Sequence, residues 1–394
     1  MDNPPVEAFA STFVYCWPQS DASWSLGLDS DVAHNLRWGI VATCTGTVKN
    51  MAGICACRAA LGILEAAFDA GAPYFLSLFY QRKELDLRVA ILIGMSPLAN
   101  CFASSLAYGI SQIHSSRGRR QLFSRHSSIS SFPTHHNKPS FNEEEKEASV
   151  TRLGTRDTTK KEKLNWNQVA AGLGDYQLYV HAMIHFFCNY SFASLANFLP
   201  TIVQNLGYSS IQAQGLTAPP YAASFLVCLA AAFFSDKFGH RGYVIAGLST
   251  VAGVGYLSLA MIEDQAKNNI RYLGVWLAVI GVFPCLALNH TWVLNNQGGE
   301  TKRGVGLAVI AILGQCSSFV SSILYPKSDA PYFVKGCATG CALTFMITIL
   351  SLGLHFKLAH ENRKRDRDFG PVEGYGQLDV TTLGDKHPQF RYFT

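Results

Sequence analysis

Charged side chains are scarce in this sequence, and they are unevenly placed. They make up 15% of the residues, whereas an ordinary soluble domain has roughly 25%. Residues 176–235 contain no Asp, Glu, Lys or Arg, and residues 242–262 again contain none. An α-helix needs about 20 apolar residues to cross a bilayer core. Such long uncharged runs argue against an ordinary soluble protein and predict several membrane-crossing helices.

Motifs that would indicate other classes of protein are also missing. No Walker loop is present, which argues against ATP-driven transport. The 11 cysteines are scattered, and none of their spacings fits a zinc site, so we expect no bound metal or cofactor. The net charge of +5 comes from loops and the C-terminal tail, so we expect contacts with lipid headgroups and no nucleic-acid partner. We expect no enzyme activity.

The apolar runs predict an all-α polytopic membrane protein with nine crossings. Seven of the predicted spans contain no charged residue, namely 89–110, 176–200, 212–235, 242–262, 272–295, 304–325 and 336–356. Of two further candidates, 57–79 is long enough but carries Arg58, Glu65 and Asp69, and 38–53 is weak and short and contains Lys49. Proline and glycine inside the spans do not argue against helices, because membrane helices tolerate both residues.

The positions of Lys and Arg predict the orientation of these helices. Basic residues cluster before residue 176, in the turns 236–241 and 299–303, and after residue 357, whereas the intervening connections hold few. Short loops rich in Lys and Arg lie on the cytoplasmic side of a membrane. This pattern places the basic turns and the C-terminus in the cytoplasm, and we expect a protein of the plasma membrane.

The turn FFSDKFGHRG, residues 233–242, interrupts the uncharged region. Its glycine, Gly239, permits a sharp reversal of the chain. The carboxylate of Asp236 can pair with a cation or with a helix N-terminus, while Lys237 and Arg241 supply positive charge. The alternative is a plain solvated turn whose cations only set the topology.

This turn resembles the cytoplasmic loop motif of the major facilitator superfamily, in the copy between that family's eighth and ninth helices. Ala232 and His240 depart from the motif, which expects a glycine and a basic residue there. Further stretches resemble the fungal anion:cation symporter branch, which includes the allantoate and nicotinate permeases. These are RAALGILEAAFDAGAPYFLSLFYQRKE at 58–84, FLPTIVQNLGYSSIQAQGLTAPPY at 198–221, NNQGGETKR at 295–303 and ENRKRDRD at 361–368.

The resemblance implies twelve helices in two six-helix bundles with a substrate site between them. The first, second and sixth helices of the family have no counterpart among the nine predicted spans. We therefore expect an incomplete N-terminal bundle and a complete C-terminal bundle of the major facilitator fold. The expected segments are an irregular N-terminus at 1–37, the partial bundle at 38–110, a disordered central loop at 111–175, the six-helix bundle at 176–358 and a cytoplasmic tail at 359–394.

The function that the resemblance implies is secondary active transport by alternating access. The expected substrate is a small organic anion or vitamin, taken up with a proton by a monomer. The alternative is a truncated membrane remnant of such a permease that does not transport. A membrane metal oxidase is a more distant alternative, because His181 and His185 are spaced as on one helix face but lack the further histidine clusters that such an enzyme needs.

Ionisable residues within the predicted spans are the candidates for substrate and proton binding, because their burial in a bilayer is costly. Arg58 and Glu65 lie two helical turns apart and share a face, and the resemblance implies that this face lines the central cavity. The alternative is a structural ion pair. Asn289 and His290 lie in mid-span after Pro284, where a kink could direct His290 into the cavity. A histidine that only serves packing is the alternative there.

Overall fold

A computed structural model describes residues 44, 48, 50–79, 85–111, 166–264, 267–370 and 384–394. The chain divides into two compact units, one of residues 1–78 with 113–152 and one of residues 79–112 with 153–394. The described residues form α-helices, two short 3-10 turns and no β-strand, which confirms the predicted all-α class. The α-helices are α1 Met51–Phe79, α2 Leu85–Ser111, α3 Trp166–Leu173, α4 Tyr176–Gln204, α5 Ser210–Phe238, α6 Arg241–Met261, α7 Asn268–Asn296, α8 Glu300–Leu324 and α9 Val334–Phe369.

Six of these helices, α2 and α5 to α9, are long and apolar enough to cross a membrane. The predicted span at 176–200 lies in α4, which has 29 residues but is not among the six. Its polar side chains, including His181, His185 and Asn189, lower its hydropathy, and all three are buried against neighbouring helices. Polar side chains of this kind need protein partners, so the uncharged run at 176–200 includes a helix face that packs inside the bundle.

The first unit is represented by α1, whose start differs from the predicted boundaries. The carboxamide oxygen of Asn50 accepts a hydrogen bond from the N–H of Gly53 at 3.0 Å, which is the geometry of an N-cap. One helix therefore begins at Met51 and runs through the predicted span 57–79. The candidate 38–53 contributes only its last residues to this helix, and most of it lies outside the described residues.

The second unit contains α2 to α9 and the C-terminal residues. In this unit α2 packs along α5 and α7, and small side chains allow the close approach. Gly94 of α2 faces Phe225 and Cys228 of α5, and Ala90 shares a buried apolar cluster with Cys228 and Ala287. Residues 85–110, which the sequence assigned to the partial N-terminal bundle, thus pack directly against the C-terminal helices.

The two ends of this unit hold different parts of the chain. The starts of α2, α4, α6 and α8 lie at the end where the C-terminus packs, which we call the tail end. At the opposite side of the unit, which we call the far end, α4, α6 and α8 finish and α5, α7 and α9 begin. An aromatic core with Tyr190, Tyr256 and Phe283 lies toward the far end, and a second core includes Phe390 and Phe393 at the tail end.

Helices α6 and α7 touch through glycine. A Cβ atom built on Gly255 of α6 would lie 2.5 Å from the backbone nitrogen of Ala278 and 2.6 Å from the carbonyl oxygen of Gly274. Real Cβ atoms do not approach backbone atoms this closely, so the two helices would have to separate to admit a side chain. Small residues at helix contacts are how membrane helices pack without a hydrophobic driving force between them.

We therefore expect Gly255→Ala to destabilise the protein by about 1–3 kcal/mol through overpacking. Gly247, on the same helix, faces open space, since a Cβ atom placed there would have nothing within 4 Å. Gly247→Ala is therefore a matched control, and it should leave stability unchanged or raise it by up to ~1 kcal/mol through helix propensity. The thermal midpoints of the two purified variants in detergent measure the difference. Equal midpoints would contradict this prediction, because they would show that α6 and α7 can accommodate a methyl group at their contact without loss of stability.

Two segments differ from the predicted boundaries. The helix α3 lies within 111–175, the predicted disordered loop, and it packs on α8. The last helix, α9, continues past residue 358 to Phe369 and ends at Gly370, whose φ is 83°. Straight-chain charged residues favour helix, so this part of the predicted tail continues α9. Residues 1–37 and 112–165, on which the other predicted departures from the family fall, lie outside the described residues.

Candidate functional site

The charged turn between α5 and α6 is built on a left-handed glycine. Gly239 follows the end of α5 at Phe238 with a φ of 69°, a region that residues with a Cβ rarely adopt. Its N–H donates to the carbonyl of Ser235 and closes the last turn of the helix. The next helix starts at Arg241. The turn at this glycine thereby brings Asp236 and Arg241 close together at the tail end.

Asp236 connects three helices. Its Oδ2 accepts a hydrogen bond from the backbone N–H of Leu87 at 3.1 Å, in the first turn of α2. Its Oδ1 lies 3.7 Å from Nη2 of Arg241 at the start of α6. The first turn of a helix carries free N–H groups and partial positive charge, so a carboxylate is stabilised there. One side chain at the end of α5 therefore binds the beginnings of both α2 and α6.

The two cations of the turn have different environments. Arg241 is fully buried, its Nη1 donates to the carbonyl of Thr291 at 3.2 Å, and its guanidinium lies 4.5 Å from the ring centroid of Phe393. Lys237 is exposed, and its ammonium lies 5.9 Å from the ring centroid of Phe238. Arg241 thus belongs to the packed interior of the tail end, whereas Lys237 faces outward.

The last residues of the chain close this end of the unit. The side chain of Asn296 bonds both backbone groups of Phe393, donating to its carbonyl at 2.9 Å and accepting from its N–H at 2.8 Å. Trp292 donates to the same carbonyl at 2.8 Å. Asn362 binds Tyr392 in the same way, at 2.8 and 2.9 Å. The predicted cytoplasmic tail is therefore docked against the helices along residues 384–394.

An arginine of α9 organises the backbone of the docked tail. Arg365 Nη1 donates to the carbonyls of Asp385 at 2.8 Å and Phe390 at 3.1 Å. Its guanidinium carbon lies 4.8 Å from the ring centroid of Tyr392, and its Nη2 donates to the Tyr392 hydroxyl at 3.2 Å. Burial raises the pKa of this tyrosine, so the hydroxyl stays protonated and its oxygen acts as the acceptor.

Ion pairs add to the attachment of the tail. Lys302 at the start of α8 bridges two carboxylates, Asp175 at 2.7 Å and Asp385 at 2.8 Å. Arg391 pairs with Asp366 of α9 at 2.7 Å. The bridge from Lys302 is almost fully buried on the lysine side, where a pair is screened less by solvent than at the surface. The tail thus contacts the tail-end portions of α7, α8 and α9.

Inside the bundle, the predicted candidate Asn289 pairs with a histidine of α4. Nδ1 of His181 lies 2.9 Å from Oδ1 of Asn289, and Nδ2 of Asn289 donates to the carbonyl of His181 at 3.2 Å. Because the Asn289 oxygen can only accept, His181 carries its proton on Nδ1. Its Nε2 is then an acceptor, and it has no hydrogen-bond partner within the described ranges.

The predicted candidate His290 lies beside a second histidine of α4. The rings of His185 and His290 meet edge to face at 4.7 Å, and Nδ1 of His290 donates to the carbonyl of Leu286 at 2.8 Å. Gly314 of α8 leaves room for the His185 ring, since any side chain at that position would collide with it. Asn189 donates to the Gly314 carbonyl at 2.8 Å. These contacts form a buried polar cluster between α4, α7 and α8.

The other two predicted site residues belong to α1. Arg58 is exposed, and the helix places Glu65 two turns further on the same face. The side chain of Glu65 is outside the described part of the chain, so the predicted role of this face in substrate and proton binding stays a prediction. Among the described side chains, no group of three or more His, Cys, Asp or Glu is arranged to hold a metal ion.

The residues that hold the tail were not predicted from the sequence. Trp292, Asn296 and Asn362 lie near helix ends, where polar side chains are common and do not stand out. The one available signal was the aromatic sequence at the C-terminus, Phe390 with Tyr392 and Phe393, because three large apolar side chains are unusual in a solvated tail.

The helices and the turn together define the class of protein as a polytopic helical membrane protein with charged connections between apolar spans. The chain belongs to the Major Facilitator Superfamily, whose family model matches residues 32–322.

Fungal transporters are similar to the chain over most of their length. The MFS-type transporter efuF of Hormonema carpetanum is 30% identical, over 89% of this chain and 74% of the relative. The transporter hxnP of Emericella nidulans is 29% identical, over 90% of this chain and 75% of the relative. The high-affinity nicotinic acid transporter of Saccharomyces cerevisiae is 27% identical, over 90% of this chain and 68% of the relative. The chain is thus a member of a family of transporters, with relatives in fungi.

Solved structures agree with the fold. The proton:xylose symporter XylE matches with a TM-score of 0.60 and 12% identity, over 92% of this chain and 83% of that one. The fucose:proton symporter FucP of E. coli matches with a TM-score of 0.56 and 11% identity, over 81% of this chain and 82% of that one. At such low identity the likeness shows the major facilitator fold alone.

Proposed function

We propose that this protein is a secondary active transporter that takes up a small organic anion or vitamin together with a proton, by alternating access. The plasma membrane is the proposed location, with the tail end in the cytoplasm, and the working unit is a monomer. The nicotinic acid specificity of the yeast relative supports an anionic substrate of this size. The basic turns at the tail end support its cytoplasmic position.

The observation that carries the proposal is the set of contacts made by Asp236. It holds the start of α2 through one backbone N–H and the start of α6 through Arg241. Such contacts are strong enough to favour one conformation, yet they are few, so they can break when helices move apart. A transporter that alternates between two states needs contacts of this kind at the end that closes.

The buried polar cluster supports proton coupling. Histidine is the side chain whose ordinary pKa lies within the physiological range, and two histidines here have ring nitrogens without partners among the described residues. Ionisable groups inside a membrane protein mark proton and substrate pathways. Glu65 in α1 is the second proposed coupling group, and Arg58 is the proposed counter-charge for an anionic substrate.

Uptake of labelled nicotinate by yeast cells that lack their own transporter tests the function. The full chain should accumulate the label when the medium is acidic, and a protonophore should abolish accumulation. Uptake that is equal with and without a proton gradient would contradict proton coupling, and the absence of saturable uptake by a chain that reaches the membrane would contradict transport of this substrate.

We expect Glu65→Gln to abolish accumulation driven by the proton gradient while it preserves exchange of substrate across the membrane, because exchange requires no net movement of protons. His290→Gln is the companion variant, since it removes a histidine of the buried polar cluster. Accumulation and counterflow of labelled nicotinate in vesicles separate the two activities. Accumulation that survives Glu65→Gln but fails in His290→Gln would move the coupling site to the buried histidines.

A further inference from the structure

Arg271 is a buried arginine without a polar partner among the described residues. It lies in the first turns of α7, at the far end, and only 1% of it is exposed. Its Nε, Nη1 and Nη2 all lack hydrogen-bond partners within the described part of the chain. The ring of Tyr332 lies against it, with its centroid 4.8 Å from the guanidinium carbon. A guanidinium carries five N–H donors, so this group is desolvated without hydrogen bonds from the described protein groups.

The comparison with Arg241 shows how unusual this is. Both arginines are among the largest fully buried side chains of the described residues. Arg241 has a carboxylate, a backbone carbonyl and an aromatic ring around it. Of these three kinds of contact, Arg271 has only the ring within the described ranges. A buried charge is ordinarily paired, and an orphaned one calls for a ligand or ion that completes it.

The surroundings of Arg271 suit an anion. Lys267 precedes α7 without capping its first turn by a side-chain hydrogen bond, so that end of the helix contributes partial positive charge. Cys337 of α9 lies within electrostatic reach of Arg271. Glu263, the acidic residue that acts on Arg271, is exposed.

The segment that covers Arg271 carries a strained residue. Tyr332 lies half-buried in the connection between α8 and α9, and the next residue, Phe333, has a φ of 50°. This left-handed conformation is rare for a bulky side chain, and such outliers concentrate at ligand clamps and switch regions. Rotation of the Tyr332 side chain would uncover the guanidinium from the far end.

We propose that Arg271 anchors an anion-binding site at the far end, where its guanidinium takes a carboxylate or phosphate group as a two-pronged donor and Tyr332 covers the bound group. Arginine suits this role because its planar fork matches the two oxygens of a carboxylate or phosphate. The anion has two sources with the same chemistry, a free organic anion from the medium or the headgroup of an anionic lipid. The first source rests on the proposed uptake of such an anion, whereas the second does not.

Thermal unfolding of the purified full chain tests the site independently of transport. A ligand that binds the folded state raises its stability as its concentration exceeds the dissociation constant. We expect the midpoint of the wild type in uncharged detergent to rise with added nicotinate or inorganic phosphate, or in nanodiscs with phosphatidylglycerol relative to phosphatidylcholine. Arg271→Gln should lose at least about nine-tenths of this response. Arg271→Lys should keep part of it, because lysine retains the charge without the fork.

The same experiment separates an anion site from a structural arginine. Without anions, Arg271→Gln should unfold at the same temperature as the wild type or higher, since it removes an uncompensated buried charge. Arg241→Gln is the matched control and should unfold lower, because it breaks existing contacts. A midpoint for Arg271→Gln well below that of the wild type in anion-free detergent would assign Arg271 to structure and overturn the proposal.

The pattern of responses identifies the source. A response to free anions alone points to the medium, and a response to phosphatidylglycerol alone points to lipid; both support the site. No response of the wild type to any of the three probes, or an equal response of Arg271→Gln, overturns it. Binding that persists in a chain without proton-driven uptake would leave the site intact while it contradicts the proposed function, so the two failures remain distinguishable.

Discussion

Replacement of Asn296 by Ala is expected to lower the free energy of unfolding by about 2–4 kcal/mol, since it removes two hydrogen bonds to the buried backbone of Phe393. Asn296 is 1% exposed, and its carboxamide makes two hydrogen bonds to that one tail residue. Thermal unfolding in detergent measures the loss. Asn269→Ala is a matched control on the same helix, because Asn269 is exposed and its replacement should change stability by less than about 0.5 kcal/mol.

A double-mutant cycle makes this prediction specific to the tail. Deletion of residues 384–394 should itself destabilise the protein, because it uncovers Trp292 and Arg241, which are fully buried. In the shortened chain, Asn296→Ala should cost little more, since its partner is already gone. An equal cost of Asn296→Ala in the full and the shortened chains would contradict the docking of the tail. Proteolysis of a C-terminal tag offers a second readout, as the Asn296→Ala tail should be cleaved faster.

Asp236→Asn is expected to reduce uptake about tenfold while the amount of protein in the membrane stays the same. Asparagine can still accept from Leu87, but it loses the charge that the α2 N-terminus and Arg241 stabilise. Charge-assisted hydrogen bonds are worth roughly 1.5–3 kcal/mol, and about 1.4 kcal/mol corresponds to a tenfold change in the population of the conformation that these contacts favour. Initial uptake rates, normalised to surface abundance, measure the effect.

Lys237→Gln is the control for this prediction, because it removes a charge from the same turn at an exposed position. We expect less than a twofold change in uptake from it. Normal uptake by Asp236→Asn at normal abundance would indicate that the charged turn only sets the membrane topology. A loss of membrane protein in that variant would instead indicate that the contact between α5, α2 and α6 is needed for folding.

Much of the secondary structure follows from the sequence for a local reason. In a bilayer every backbone N–H and C=O must be bonded within the segment that crosses it, so a long uncharged run specifies a helix almost irrespective of its neighbours. The predicted spans at 242–262 and 272–295 coincide with α6 and α7 to within a residue or fall inside them. Boundaries were less predictable where charged residues continued a helix, as they do at the end of α9.

The sequence partly predicted the position of Asp236. It predicted the kinds of group that Asp236 binds, but not which residues supply them. The charged turn stood out against its uncharged surroundings, and a cation and a helix N-terminus are the groups that a carboxylate takes at such a place. Nothing in the local sequence identifies Leu87, 149 residues away, as the donor. The choice depends on α2 packing against α5, which small residues on both helices decide together.

The sequence by itself determined that this chain forms apolar helices joined by charged turns, with a basic side and a recognisable transporter motif. Those features depend on the composition of contiguous segments. The tertiary structure alone decided which buried polar groups meet: His181 with Asn289, the tail with Asn296 and Asn362, and Arg271 with no polar partner in the described chain. Hydrogen bonds depend on atoms a few ångströms apart, and residues a hundred positions apart reach that distance only after the helices have packed.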